Sequence, residues 1–194
     1  MDSFNVSVFL AINQFAGTHG LADAIAIVLA EAMPYAFILV LMAVWFGAAA
    51  EKRKVSMNAG FSVLLALLVS YFIGMVYFHP RPFMENLGTP LLQHAPDTSL
   101  PSDHATFLFA IAFTFLFSPR TRGLGVVLGA FACLGGVARV YAGVHFPMDV
   151  LSAALVGVFA ASSVCFLSSK TEGLNWIFSQ FMKVKYLNRT LGQR

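Results

Sequence analysis

The residues able to do chemistry fall in three short polar stretches of an otherwise apolar chain. The stretches read HPRPFMEN from residue 79, LPSDHAT from residue 100 and RVYAGVHFPMD from residue 139. Together they supply Arg81, Ser102, His104, Arg139, His145 and Asp149. Two guanidinium groups can grip phosphoryl oxygens in forked hydrogen bonds, while one imidazole attacks phosphorus and another donates a proton. These residue types therefore predict chemistry on a phosphate group.

The order of residues within these stretches favours the same chemistry. Asp149 follows His145 by four residues, and Pro147 is suited to open a helix, so the carboxylate could hold the imidazole N–H and fix its tautomer. Ser102 and Asp103 begin an apolar run, where free backbone N–H groups and the helix dipole favour an anion. The Ser102 hydroxyl could cap that helix or donate to phosphate. We expect Asp103 to offer its backbone N–H while its carboxylate turns toward an arginine or water.

The composition excludes a soluble globular protein. The chain has 194 residues, of which 58% are hydrophobic and only 11% are charged, which is typical of a membrane protein. Both cysteines, Cys133 and Cys165, lie in apolar runs and are interpreted as buried hydrophobic residues rather than a disulfide or a metal site. No Lys or Arg precedes Lys52, so we expect no cleavable signal peptide.

The apolar runs predict an all-α integral membrane protein with a bundle of about five transmembrane helices. The runs are roughly 21–50, 55–78, 104–118, 123–141 and 148–169. Glu31 and Pro34 interrupt the first run, which predicts a kinked or tilted helix, or six spans if that run is split. Residues 1–20 predict an interfacial helix, with its apolar side chains toward the membrane and Asn5 and Asn13 mostly on the other face. We expect one domain over 1–194, with the transmembrane core at 21–169 and a basic cytoplasmic tail at 170–194.

The basic residues predict the orientation of this bundle. Ten of the twelve Lys and Arg residues fall on one face, which the positive-inside tendency assigns to the cytoplasm. Arg81 and Arg139 are left for the opposite face, where topology alone gives them no reason to be. The predicted location is a bacterial cytoplasmic (inner) membrane, with the phosphate site on the periplasmic side.

The three polar stretches resemble the signature motifs of the type 2 phosphatidic acid phosphatase superfamily. In that family a lysine is separated by six residues from Arg-Pro, and Pro-Ser-Gly-His follows. The third motif has Ser-Arg, His and Asp at the spacing of RVYAGVHFPMD. Here Arg81-Pro82 matches the end of the first motif and PSDH matches the second. The resemblance implies that His145 becomes phosphorylated, Asp149 orients it and His104 is the general acid. It also implies that Arg81, Ser102, Asp103 and Arg139 bind phosphate.

Three positions depart from the family pattern. Gly74 stands where the family has its lysine, Asp103 replaces the common glycine, and Ala138 replaces the serine before Arg139. His79 is a candidate to replace the phosphate contact of the lysine. Glu85 could pair with Arg81 or a histidine, or shape substrate binding.

The chain resembles the bacitracin-resistance-type undecaprenyl-diphosphate phosphatases, which carry similar departures. The resemblance implies dephosphorylation of a polyprenyl diphosphate lipid, which recycles the cell-wall lipid carrier and confers bacitracin tolerance. It implies no added cofactor, and we expect no metal, because no tight ligand motif is present and the arginines supply positive charge. Membrane lipids are the expected surroundings, nucleic acid is not an expected partner, and the oligomeric state stays open.

Other functions remain open at this stage. The substrate could be another lipid phosphate, such as phosphatidylglycerophosphate, phosphatidic acid or a lipid A phosphate, and the phosphoryl group could pass to another lipid rather than to water. A non-enzymatic anion transporter is disfavoured because the polar residues cluster at one membrane face and form no path through the apolar runs. A vanadate-dependent oxidase would share the pocket chemistry, but those relatives are soluble.

Overall fold

The computed structural model is helical over the part of the chain that it describes, which is residues 3–170, 173, 176–177 and 179–180. In chain order the helices are α1 (Ser3–Asn13), α2 (Gly20–Gly47), α3 (Ala50–Val76), α4 (Asp103–Phe117), α5 (Arg122–Tyr141) and α6 (Pro147–Lys170), with a short 3₁₀ helix at Pro82–Glu85. The predicted tail at 170–194 lies almost wholly outside the described residues.

Four helices, α2, α3, α5 and α6, are long and apolar enough to cross a membrane. At a rise of 1.5 Å per residue they extend about 30–42 Å, compared with a hydrocarbon core of about 30 Å. The remaining apolar run forms α4, whose 15 residues extend only about 22 Å. The prediction of an all-α, multi-pass membrane bundle is confirmed, and each of the five predicted apolar runs is a helix.

The short helix α4 lies at the centre of the bundle and packs against α3, α5 and α6. Gly157 of α6 allows a close approach, because a Cβ there would lie 2.8 Å from Phe109 Cβ and 2.9 Å from Ala110 N. Close backbone packing of this kind holds membrane helices together, since lipid tails are as apolar as the side chains. The first turn of α4 is therefore fixed in the middle of one end of the bundle.

The first long run is a single helix, because α2 continues through Pro34 without a break. The bundle is therefore not divided into six spans. An acidic residue such as Glu31 is costly in lipid and needs a protein or water partner. Its Oε1 lies 3.3 Å from Nη1 of Arg139 in α5, so α2 brings a carboxylate to one of the two predicted phosphate-binding arginines.

The N-terminal helix α1 carries Asn5 and Asn13 on the face that packs against the protein. Both asparagines are buried, whereas Phe4 and Phe15 of the apolar face are exposed. Asn13 Nδ2 donates to Thr89 O (2.9 Å) and Tyr141 O (2.8 Å), and Asn5 Oδ1 accepts from Met148 N–H (3.1 Å). The two amides thus supply hydrogen-bond partners for backbone groups of neighbouring segments.

Candidate active site

The three polar stretches meet at one end of the bundle. Arg81 follows α3, Ser102 precedes α4, and His145 lies between α5 and α6. The Arg81 Nη1 atom lies 3.1 Å from His145 Nε2, and Ser102 N–H donates to Asp149 O at 3.2 Å. Tertiary packing thus brings together the groups that the sequence analysis selected from three separate segments.

The turn between α5 and α6 depends on Gly143. Its φ of +78° lies in the left-handed region, which glycine adopts without steric cost. A Cβ at this position would lie 2.8 Å from Thr89 O and 2.9 Å from Pro90 Cα. The turn can therefore close against residues 89–90 and hold His145 in a site where it is almost fully buried.

The start of α6 fixes Asp149 between two histidines. Pro147 is the first residue of α6, as predicted, and Asp149 Oδ2 accepts from Phe146 N–H at 2.7 Å, in the manner of an acidic helix cap. Oδ2 also lies 3.4 Å from His145 Nδ1, while Oδ1 lies 3.3 Å from His79 Nδ1. The carboxylate is completely buried, so it needs such partners to offset the loss of water.

The surroundings of His145 determine which ring nitrogen carries the proton. A guanidinium group has donors only, so Nε2 must accept the hydrogen bond from Arg81 Nη1. The proton of the neutral ring therefore lies on Nδ1, which faces Asp149. Burial lowers the pKa of His145 to about 4, so the ring is neutral at pH 7. Nε2 is thus an unprotonated nitrogen, which is the form required of a nucleophile.

Arg81 is held by hydrogen bonds along its guanidinium group. Nε donates to Asp97 Oδ1 at 2.8 Å, Nη1 donates to Val144 O at 2.9 Å, and Nη2 donates to Thr98 O at 3.4 Å. The side chain is 5% exposed. Its position is therefore set before any ligand binds, with its charge beside His145 Nε2.

Arg139 is as deeply buried but keeps free donors. It is 1% exposed, and its Nη1 contacts Glu31 Oε1 at 3.3 Å and Ala30 O at 3.5 Å. Its Nε and Nη2 atoms have no hydrogen-bond partner among the described residues. Leaving buried donors unpaired is costly, so binding an anion with several acceptor oxygens would recover that energy.

The first turn of α4 supplies further unpaired donors. Ser102 does not cap the helix, and its buried Oγ has no partner within residues 3–170, which leaves the hydroxyl for a ligand. One turn later, Thr106 Oγ1 is also buried without a partner in that range. The N–H groups that open a helix lack intrahelical partners. This end of α4 therefore has the properties of an anion site.

Asp103 and His104 follow Ser102 on the same helix. Ser70 Oγ of α3 donates to Asp103 Oδ1 at 2.7 Å. The carboxylate therefore accepts from a hydroxyl group of α3, and the residue is otherwise exposed. His104 is partly buried and lies within electrostatic range of Arg139 and Glu31, so its imidazole belongs to the same cluster.

The three remaining positions of interest differ in their surroundings. Gly74 packs against the loop before α4, since a Cβ there would lie 2.8 Å from Thr98 Cγ2. A lysine at that position would require the Thr98 side chain to move. His79 contacts Asp149 rather than the unpaired arginine donors. Glu85 is exposed and forms no ion pair within the described residues, although both it and His79 line a cavity of about 620 Å³ beside α1.

Several residues of the site were not assigned to it from the sequence. Asp97 holds Arg81, Glu31 contacts Arg139, and the His94 ring lies 6.5 Å from the His145 ring between centroids. In the sequence, Asp97 and His94 are polar residues of the loop HAPDTS, which is only a weak indication of a functional role. Glu31 stood out as an acidic residue in an apolar run, but its partner could not be read from the sequence.

Taken together, the site can bind a phosphoryl group and attack it. The unpaired donors of Arg139 and Ser102 can bind its oxygens, Arg81 places a positive charge beside them, and His145 Nε2 is unprotonated. In the described part of the chain, no group of three or more His, Cys, Asp or Glu side chains is arranged to hold a metal ion.

Comparisons with known proteins agree with this arrangement. The chain is 36% identical over 154 residues to undecaprenyl-diphosphatase BcrC of Bacillus subtilis (strain 168), covering 79% of each chain. It is 32% identical to the putative undecaprenyl-diphosphatase YbjG of Escherichia coli (strain K12), covering 84% of this chain and 82% of that one. Its fold matches the crystal structure of Aquifex aeolicus LpxE with a TM-score of 0.72 at 24% identity, over 84% of this chain and 95% of that one. Residues 56–172 match the model of the PAP2 superfamily. The chain therefore belongs to the PAP2 superfamily, as the three motifs predicted.

Proposed function

We propose that the protein removes the terminal phosphate of undecaprenyl diphosphate and leaves undecaprenyl phosphate. The names of the relatives from Bacillus subtilis and Escherichia coli support this substrate, since each is matched over about four fifths of its length. The observation that carries the reaction type is the contact between His145 Nε2 and Arg81 Nη1, because it leaves a neutral nucleophile beside a buried positive charge. On this proposal the protein recycles the lipid carrier of cell-wall synthesis and confers bacitracin tolerance.

The reaction proceeds in two steps through a phosphohistidine. As the phosphate binds, the Arg81 Nη1–H hydrogen bond passes from His145 Nε2 to a phosphoryl oxygen and frees the lone pair of Nε2. His145 Nε2 then attacks the terminal phosphorus, a P–N bond forms, and the P–O bond to the lipid monophosphate breaks. His104 is protonated when the negatively charged diphosphate lies beside it, and it donates that proton to the leaving oxygen. Water then attacks the phosphohistidine, His104 takes a proton from it, and inorganic phosphate leaves with His145 restored.

The other side chains act by binding and orientation. Arg81, Arg139, Ser102 and the N–H groups that open α4 bind the phosphoryl oxygens, whose charge they neutralise as the bonds reorganise. Asp149 holds the proton on Nδ1 of His145 and stabilises the positive ring that forms when Nε2 carries phosphate. Glu85 and His79 are not needed as phosphate ligands in this scheme.

The proposed location is the bacterial cytoplasmic membrane, with the whole chain forming one domain and the site on the extracytoplasmic side. The distribution of basic residues supports this orientation, because Arg81 and Arg139 are buried in the site while most of the other basic residues belong to the opposite face. A cysteine introduced at Arg53 should react only with a membrane-permeant reagent. Labelling from outside intact cells would contradict the orientation.

The test of function is phosphate release by purified protein in detergent. We expect undecaprenyl diphosphate to be cleaved faster than phosphatidylglycerophosphate, phosphatidic acid or a lipid A phosphate, and cleavage to continue in chelator. His145→Ala should lower kcat more than about a thousand-fold, because the attacking atom is lost. His19→Ala, outside the site, should leave the rate unchanged. Full activity of His145→Ala would exclude the phosphohistidine, and preference for another lipid would exclude the substrate.

A further inference from the structure

His79 lies behind the catalytic histidine and contacts the carboxylate that faces it. Its Nδ1 atom is 2.8 Å from Ser99 Oγ and 3.3 Å from Asp149 Oδ1. Ser99 Oγ in turn donates to Pro80 O at 3.3 Å, so its oxygen is free to accept from the imidazole. The proton of a neutral His79 ring is therefore placed on Nδ1, directed toward both Ser99 and Asp149.

The ring of His79 is fixed by its aromatic neighbours. It stacks on Tyr77 with centroids 6.1 Å apart and meets the edge of Phe146 at 5.5 Å. Its side chain is 12% exposed. A ring held in this way can present its Nδ1–H in one direction only, with little further loss of conformational freedom.

Asp149 has a particular need for a donor at this position. Its Oδ2 accepts a hydrogen bond from Phe146 N–H and faces His145. Its Oδ1 is buried and has no well-aligned hydrogen-bond donor among the described residues. The Nδ1–H of His79, 3.3 Å away, is the donor that faces it. A buried carboxylate oxygen without a donor would favour rotation of the group away from His145.

We propose that His79 is a positioning residue, which holds Asp149 so that its Oδ2 faces His145 Nδ1 throughout the reaction. The proposal rests on the function proposed above and adds a member to its catalytic machinery. His79 does not bind the phosphate and does not replace the family lysine at Gly74. Its effect on the rate passes through Asp149 and is felt most when His145 becomes positively charged.

The test is a double-mutant cycle between His79 and Asp149, measured by release of radiolabelled phosphate from undecaprenyl diphosphate. His79→Phe keeps the aromatic packing but removes the donor, and His79→Asn places an amide N–H close to the position of Nδ1. We expect His79→Phe to lower kcat about ten- to a hundred-fold, as loss of an orienting partner does at metal-bound histidines, with KM changed less than twofold. His79→Asn should restore most of kcat.

The double-mutant cycle tests whether His79 affects kcat through Asp149. In the Asp149→Ala background, His79→Phe should cause no further loss, since the residue that it positions is gone. His19→Phe is the matched control and should leave kcat, KM and Tm unchanged. If His79→Phe does not fold, His79→Gln takes its place. Its amide nitrogen reaches the position of Nε2 rather than Nδ1, so we expect His79→Gln to lower kcat as His79→Phe would.

Three results would overturn the proposal. The first is an unchanged kcat in His79→Phe, and the second is a raised KM with unchanged kcat, which would make His79 a phosphate ligand. The third is an equal loss of kcat with and without Asp149. Because His145→Ala is measured in the same assay, failure of the phosphohistidine mechanism would be seen separately, as retained activity in that variant.

Discussion

The two ends of the helix bundle both carry charged side chains but hold them differently. At the site end, Arg139 is 1% exposed and Asp149 is completely buried, and the arginine keeps donors without a partner in the described chain. At the other end, Arg120 pairs with Glu51 at 2.6 Å, and these side chains are 61% and 63% exposed. Water can hydrate the exposed Arg120–Glu51 pair. The unpaired donors of Arg139 gain hydrogen-bond acceptors only when a ligand binds.

On the proposed function, this difference separates charges that bind substrate from charges that orient the chain in the membrane. Burying an arginine costs free energy that the fold must recover elsewhere. Arg81 recovers it through Asp97 and backbone carbonyls. Arg139 recovers it only in part, through Glu31 and Ala30 O, and on the proposed function a bound phosphate would recover the rest.

The largest expected contrast comes from removing one arginine at each end. Arg139→Met should lower kcat/KM about a hundred- to a thousand-fold, because donors directed at the transferring phosphoryl group are lost. Arg120→Met, the matched change at the exposed end, should leave kcat/KM within about twofold. Both are measured by phosphate release with undecaprenyl diphosphate. Equal losses in the two variants would remove the distinction between the ends.

A second contrast concerns protonation at the buried end. Because burial lowers the pKa of His145 to about 4, its ring should titrate well below the ordinary value of 6.5. The unfolded chain binds this proton more readily, so this group costs stability as pH falls from about 6.5 toward 4 and costs none above that window. NMR of labelled imidazoles, assigned by loss of one signal in a His145 variant, would measure the midpoint. A midpoint near 6.5 would show that the site is open to water.

The smallest expected effect concerns the exposed pair. Glu51→Gln should change the free energy of unfolding by less than about 0.5 kcal/mol, because an ion pair in water contributes little. The same variant should retain full phosphatase activity. Thermal unfolding in detergent measures the first and phosphate release the second. A large loss of stability would mean that Glu51 and Arg120 hold α3 against the end of α4 rather than merely facing solvent.

Much of the fold was readable from the sequence because lipid imposes a simple pattern. Every backbone polar group in hydrocarbon must be satisfied internally, so long apolar runs become helices. The five predicted runs are α2 to α6 with small shifts at their ends. The partners of Asn5 and Asn13 in α1 were not readable, since Met148 and Thr89 are distant from them in sequence.

By itself, the sequence determined the helical membrane fold, the family and the residues with the chemistry of a phosphate site. Those properties depend on residue type and on spacing along one segment, as in the four-residue step from His145 to Asp149. The tertiary structure alone decided the partners across segments: Asp97 for Arg81, Glu31 for Arg139, Ser70 for Asp103 and His79 for Asp149. The physical reason is that burial removes water from Arg81, Arg139 and Asp149, so each of them depends on whichever donor or acceptor packing brings within about 3 Å.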